Sequence, residues 1–310
     1  MYERIWFSDF KYDRGTLLVK KTGARIPLSF NMLNDVFAWF AFYFFAQSWR
    51  LTRRLMGHKR PTIAFSPDKP RPWYHIWPVM HVAGAKIIED TGQADIVFQF
   101  DDSTITDNKI PPTKPGARLV NFGCNDISKT RIATVFSGIA GYDLSVDPAT
   151  YTGPMVEKSE ENAAHDGRIL TGPAKAKPGK TYQRLIDNEI EGGLVEDLRT
   201  CIIDGKAIVL FRKRRTLATR FKNDNSEVLL DTLAHAFSKT EIKLIEDFAK
   251  AIKLDWGGLD VLRDKISGRI YIVDANKTDM GPPISLALGS KLRSTRHLAR
   301  GFAKSFAPKQ

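Results

Sequence analysis

The sequence predicts a mixed α/β (α+β) protein in which a small α/β unit precedes a larger one, behind an N-terminal aromatic helix. Three observations carry that expectation. From residue 61 onward, short β-branched and aromatic runs such as T-I-A-F and D-I-V-F-Q-F alternate with segments of helical period. Two hairpins occupy the second half, one of them closed by Asp204-Gly205. The length of 310 residues suits about two domains, and 43% hydrophobic with 26% charged residues is the balance of an ordinary folded chain.

Residues 1–60 read as an N-terminal extension. The opening M-Y-E-R-I-W-F-S-D-F-K is too polar and too aromatic for a secretory leader, and Cys124 and Cys201 stand far apart with no metal or redox spacing. Both features suit a reducing, cytoplasmic setting. Within 34–57 the apolar run Val36–Ala46 has 11 residues, short of the ~20 a spanning helix needs. Eight aromatics between 37 and 49 are followed by Arg50, Arg53, Arg54, Lys59 and Arg60. Such a helix is either buried against protein, its own or a partner copy's, or lies along an anionic membrane surface through 36–60, making the chain a peripheral membrane protein.

Residues 61–125 read as a small α/β domain: a strand at 62–65, a helix or helix–strand unit at 79–90, a strand at 95–100, an exposed loop at 101–117 and a strand at 118–122. Residues 126–283 form the second unit. A helix over 126–140 carries Lys129, and the strand P-M-V-E-K ends in Lys158. The loop S-E-E-N-A-A-H-D-G follows, then a strand reaching 170 and the strand T-Y-Q-R-L-I at 181–186.

The Asp204-Gly205 turn implies a type I′ hairpin. Extended without interruption, that register sets Arg212 opposite Asp197 and Arg199 opposite Leu210, all on one face. An Asp197–Arg212 pair could be structural, worth a few tenths to ~1 kcal/mol. Alternatively the face lines a site where Arg199 and Arg212, with Arg214, Arg215 and Arg220 near, meet an anion. Ser238 and Glu241 form a capping box for a helix over 238–253. An L-D-W-G-G link then leads into L-D-V-L-R-D, whose hairpin partner is R-I-Y-I-V-D-A-N. With a loop at 265–269, Asp264 pairs with Ile270 and Asp260 faces Asp274. Alternation puts Asp274 and Asn276 on the face of Ile270 and Ile272. A carboxylate and an amide there cost burial energy unless they are solvated or bound to something. Oxygen donors without His or Cys suit Mg²⁺. Residues 284–310 read as a basic C-terminal helix.

These pieces, in this order, resemble the ATP-grasp superfamily. Its C-terminal signature, a helix, a G-x-D strand, a turn and a strand ending E-x-N, is matched by F-A-K-A-I-K-L-D-W-G-G-L-D-V-L-R-D and Y-I-V-D-A-N. M-V-E-K, T-Y-Q-R-L-I, E-D-L-R and F-R-K-R precede it in the expected sequence. The resemblance covers about 120–283, with 61–120 in the place of the pre-ATP-grasp domain. It implies ATP and Mg²⁺ as cofactors: Lys158 and Lys129 on the phosphates, and Gln183, Arg184, Leu185 and Ile186 at adenine, largely through backbone groups. It also implies Arg199 and Arg212 at the transferred phosphate or acceptor, and Asp260, Asp274 and Asn276 on Mg²⁺. Asp274 stands where the family has Glu. The phosphate loop has one glycine, with Asn162 and His165 as alternative phosphate contacts. The implied activity is carboxylate–amine ligation through an acylphosphate. The acceptor is a small molecule or, if the aromatic helix meets membrane, a lipid-linked or cell-envelope precursor. A kinase on the same fold and a non-catalytic nucleotide-binding or membrane-associated protein are the alternatives.

The balance of 47 Lys plus Arg against 35 Asp plus Glu gives +12, which favours anionic partners. Nucleic acid is not expected among them, because the basic residues are scattered over three regions with no recognised nucleic-acid motif.

Overall fold

A computed structural model of the chain describes residues 6–20, 25–27, 30–56, 60–107, 109–162, 164, 166–222 and 225–308. It opens with an antiparallel meander of β1 (Phe10–Asp13), β2 (Thr16–Val19) and β3 (Arg25–Pro27). The aromatic segment is then helix α1 (Phe30–Leu55).

A parallel sheet follows, built from β4 (Thr62–Pro67), α2 (Ile76–Ala83), β5 (Lys86–Ile87), β6 (Ile96–Phe100) and β7 (Arg118–Val120) in strand order β5-β4-β6-β7. Every residue of β6 is buried, as expected of a strand covered on both faces. Helix α3 (Lys129–Ala140) starts on the Ser128 cap. Three antiparallel strands, β8 (Pro154–Ser159), β9 (Arg168–Thr171) and β10 (Lys180–Arg184), form a small sheet in order β10-β8-β9.

The largest sheet holds β11 (Glu189–Ile190), β12 (Leu194–Ile203), β13 (Lys206–Thr216), β14 (Glu227–Asp231), β15 (Trp256–Arg263) and β16 (Ile270–Asn276). Its order is β14-β13-β12-β15-β16, with β11 on β12. Between β14 and β15 lie α4 (Leu233–Ala236) and α5 (Lys239–Ala251), and α6 (Leu288–Phe306) closes the fold. Helix α5 begins with both capping-box bonds: Glu241 N donates to Ser238 Oγ, and Ser238 N donates to the Glu241 carboxylate.

Sequence alternation gives the large sheet two unlike faces. Leu198, Ile202, Leu210, Leu259, Val261 and Ile272 pack under α3 and α5 in one apolar cluster. Cys201, Val209, Phe211 and Trp256 face the other way, into a core shared with α2, α6 and the parallel sheet. This second face is apolar only where those elements cover it. Beyond them it carries charge.

Two β-bulges revise the expected registers. Asp204 and Gly205 both have positive φ, 52° and 68°, as a type I′ turn requires, and Ile203 pairs with Lys206. The register then slips beyond Ile202, where Ile208 is the extra residue. Arg212 therefore pairs with Leu198, Arg199 with Phe211, and Asp197 with Lys213. In the second hairpin Arg263, not Asp264, pairs with Ile270. Val273 is the extra residue there, and past it Asp260 pairs with Asp274 as expected. The same bulge corrects the facing of β16: Ile272 pairs with Val261 on the α3/α5 side, while Asp274 and Asn276 share the other face with Asp260. The L-D-W-G-G stretch is not a link, since the strand already starts at Trp256.

Candidate functional site

The charged part of the sheet's second face is organised as a row. Phe211, Arg199, Asp260 and Asp274 are successive cross-strand partners on β13, β12, β15 and β16. Arg199 Nη1 donates to Asp260 Oδ1 at 3.0 Å, and its Nη2 lies 3.9 Å from Asp279 Oδ2. The guanidinium lies across Gly258: a Cβ there would come 2.4 Å from Arg199 Nε. The second glycine of W-G-G is thus the room Arg199 needs.

Opposite the row, the small sheet turns one face inward. Val156, Lys158 and Gln183 alternate toward a cleft that Asp260, Leu262, Val273 and Asp274 line from below. Lys158 Nζ donates to Val273 O at 3.2 Å. On the outer face of β8, buried Glu157 accepts from Arg168 Nε at 2.6 Å and from Tyr182 at 2.8 Å, which fixes the sheet's three strands together. Lys129, first residue of α3, donates to Asp274 Oδ1 at 2.5 Å.

The electrostatics of this cleft are uneven. Burial works against the Asp260 carboxylate, but Arg199 and Lys213 outweigh it and hold its pKa down to about 2. Burial pushes Asp197 up to about 6, with Asp260 adding to the rise and Arg215 opposing it. Burial, helped by the charge of Lys129 and opposed by Asp274, lowers Lys158 to about 8. Cys201, buried beneath the row, is pushed far above its usual range by desolvation and is an inert core thiol.

Of the residues singled out in the sequence, Lys129, Lys158, Gln183, Arg184, Leu185, Ile186, Asp260 and Asp274 all line this one cleft. Arg199 lies directly beneath, bonded to Asp260. Asn276, on the same sheet face, uses its Oδ1 to accept from Thr278 N at 2.9 Å. Arg212 is the correction. The bulge after Ile202 turns it to the opposite face, where it donates to Glu196 at 2.5 Å and Asp231 at 2.6 Å; Arg214 joins it on Glu196. Lys213 and Arg215 take the inward positions instead, and Arg215 pairs with Asp197. No feature of the sequence marks that bulge.

Along residues 184–186 the backbone is already engaged. Arg184 N donates to Leu144 O and Leu185 N to Pro154 O, while Ile186 O accepts from Arg220 Nη2 at 3.0 Å. The buried Gln183 Nε2 and Arg184 Nε have no hydrogen-bond partner. Asn188 and Phe221, given no part in the sequence reading, also line the cleft, as do Asp197, read there as a possible structural partner of Arg212, and Arg220, read there as near an anion-facing row. Arg220 also donates to Asn188 Oδ1 at 2.8 Å, and the Phe221 ring seats on Gly167, the glycine of the β8–β9 loop. That loop is held by side chains where glycines are scarce. Asp166 accepts from Ser159 N and from Lys180, and Glu160 accepts from Thr130 N at the start of α3. Asn162 N donates to Thr104 Oγ1. His165 lies outside the described residues.

No protein-family model matches the sequence, and no curated protein matches it. Solved structures do match the fold. The ATP-grasp ligase PsnB, complexed with a phosphomimetic variant of a minimal precursor, Mg and ADP, gives a TM-score of 0.51 at 12% identity, over 80% of this chain and 99% of that chain. A RimK-domain ATP-grasp protein from Sphaerobacter thermophilus DSM 20745 gives 0.49 at 10% identity, over 80% of this chain and 100% of that one. D-alanine–D-alanine ligase from Bacillus anthracis gives 0.47 at 13% identity, over 80% and 97%. At such identities the likeness is one of fold: the first match and the sheet topology give this chain the ATP-grasp fold.

Proposed function

We propose that this ATP-grasp-fold chain is an ATP- and Mg²⁺-dependent ligase that activates a carboxylate as an acylphosphate for attack by an amine. The observation that supports the reading is the Arg199–Asp260–Asp274 row, faced by Lys129 and Lys158 across one cleft. The donors fit the cation: Asp260, Asp274 and Asn276 offer only oxygen, and Asp260 is kept ionised by its cationic neighbours. When bound, Mg²⁺ neutralises charge on the phosphates during transfer.

The chain's own residues do the positioning. Lys158 and Lys129 would hold the phosphates, and a phosphate drawing Lys129 away would free the Asp274 carboxylate. Arg199 would face the transferred phosphoryl group or the acceptor carboxylate. The unpartnered Gln183 Nε2 and Arg184 Nε are donors free to meet the base. A carboxylate oxygen then takes the γ-phosphoryl group and ADP departs. The amine attacks the acyl carbon, phosphate leaves, and the new amide nitrogen gives up a proton.

The test is nucleotide turnover against panels of carboxylates and amines, with Asp274→Asn as control. ADP and phosphate formed only when both substrates are present, and reduced in the variant beyond the 10–100-fold typical of losing an outer-shell partner, is the expected result. ADP with a stable phosphorylated product would make the chain a kinase. Mg²⁺-dependent ATP binding without turnover would make it a non-catalytic nucleotide binder.

A further inference from the structure

Helix α1 takes no part in the cleft, and its two faces differ sharply. Phe42, Tyr43 and Ala46 lie on the inner side. Phe42 and Ala46 are buried, and the Tyr43 ring stacks on Trp77 of α2 at 5.2 Å. On the opposite side, Phe37, Phe40, Phe44, Leu51 and Leu55 recur at intervals of three, four, seven and four residues. That spacing gathers them into one stripe along the helix. The stripe faces solvent: Phe37 is 79% exposed, Phe44 67% and Leu55 79%. At 1.5 Å per residue it runs for about 27 Å. An exposed apolar surface of that kind, interrupted at Gln47 and Ser48, marks an interaction site.

Charge selects the occupant. Residues 36–60 contain five Lys or Arg and no Asp or Glu. Beside them α6 exposes Arg293, Arg296, Arg300 and Lys304, and residues 288–306 also contain no acidic residue. The two helices meet where the Arg296 guanidinium lies 4.3 Å from the centroid of the Trp49 ring. Aromatic rings level with a cationic border match a bilayer surface, where acyl chains begin just beneath anionic headgroups. A second copy would bring the same cationic borders together and repel. Among the described residues no helix is long and apolar enough to cross a membrane. The stripe is therefore suited to lying along a bilayer.

We propose that the outer face of α1, bordered by the basic face of α6, docks the protein onto an anionic phospholipid surface. No cleft-lining residue belongs to α1 or α6, so docking leaves the cleft open. The proposal does not rest on the ligase reading, and either can fail alone.

Co-sedimentation with phosphatidylcholine vesicles, with and without phosphatidylglycerol, tests it. Wild-type protein is expected on the anionic vesicles and to be released by salt. Phe37→Ser with Phe44→Ser should lower partitioning at least about tenfold, since each ring buried in lipid is worth more than that. Arg50→Glu with Arg54→Glu should lower it as well. Both rings are exposed, so thermal melting and ATP binding should stay unchanged and report an intact fold. Brominated lipids should quench wild-type tryptophan emission, a reading that needs no variant. Absence of binding to anionic vesicles, absence of quenching, or equal binding by the double-serine variant would overturn the proposal. So would a wild-type dimer that the same substitutions turn into monomer without any vesicle binding, which would give the face to a second copy.

Discussion

Among single residues, Gly258 shows how closely the site is fitted. Its missing side chain is the space that Arg199 occupies, so Gly258→Ala should displace the guanidinium from Asp260. A cost of about 1–3 kcal/mol in a denaturant melt, together with a fall in turnover, is the expected outcome. Turnover that survives intact would mean that Arg199 is not needed where it lies. Lys158 carries a pH dependence. Burial holds its ammonium at about 8, below its ordinary value, so it is charged below that point and neutral above it. The charged form binds phosphate. ATP affinity should therefore fall as pH rises through about 8, by up to tenfold per unit, and Lys158→Arg should flatten the profile. Titration calorimetry from about pH 7 to about 9 checks it. Spacing was enough to set Asp260 opposite Asp274, because each stands out chemically against apolar strand neighbours. Asn188 and Phe221 were not found, because their approach to the cleft depends on how segments far apart in sequence are stacked.

For the secondary-structure elements, what the sequence conveys is local and what it conceals is register. The capping box of α5 and the Asp204-Gly205 turn are patterns of a few adjacent residues, and both form. The bulges at Ile208 and Val273 carry no comparable signature, yet each decides which face of the sheet the following side chains take. One inserted residue turns Arg212 away and brings Lys213 and Arg215 inward. The other separates Asp274 from Ile272. A further element-level feature is the end of β7. There Asn121, at φ 66°, accepts from Trp256 N and donates to Trp256 O, both at 2.8 Å. Asn121→Gly keeps the left-handed backbone but leaves two buried Trp256 groups unpaired, a cost of about 2–4 kcal/mol. Asn121→Ala adds about 1 kcal/mol for the strained φ. Melting temperatures should fall in the order wild type, Gly, Ala; equal values for the two variants would remove the backbone contribution.

Across the whole molecule, the polar tail of β16 ties the fold together. Lys277, Thr278 and Asp279 are buried, although their sequence looks like a solvated loop before Gly-Pro-Pro. Asp279 O accepts from His75 N at 2.9 Å, the Asp279 carboxylate lies 3.6 Å from His75 Nδ1, and Lys277 Nζ donates to Thr106. The strand bearing the proposed metal ligands thus runs directly into the parallel-sheet unit and is anchored there. The two larger sheets form a single chassis, and neither can swing without dragging Asn276 along. On the proposed function, freedom to admit and release a nucleotide would fall to the sheet of β8, β9 and β10, which the Lys158–Val273 and Glu160–Thr130 contacts join to the rest of the fold. Hydrogen exchange should show it: Mg²⁺-ATP is expected to slow amide exchange across residues 154–184 while β4, β6 and β7 remain as they were. Protection spread equally over the parallel sheet, the largest sheet and the β8–β10 sheet would mean instead that the chassis itself opens.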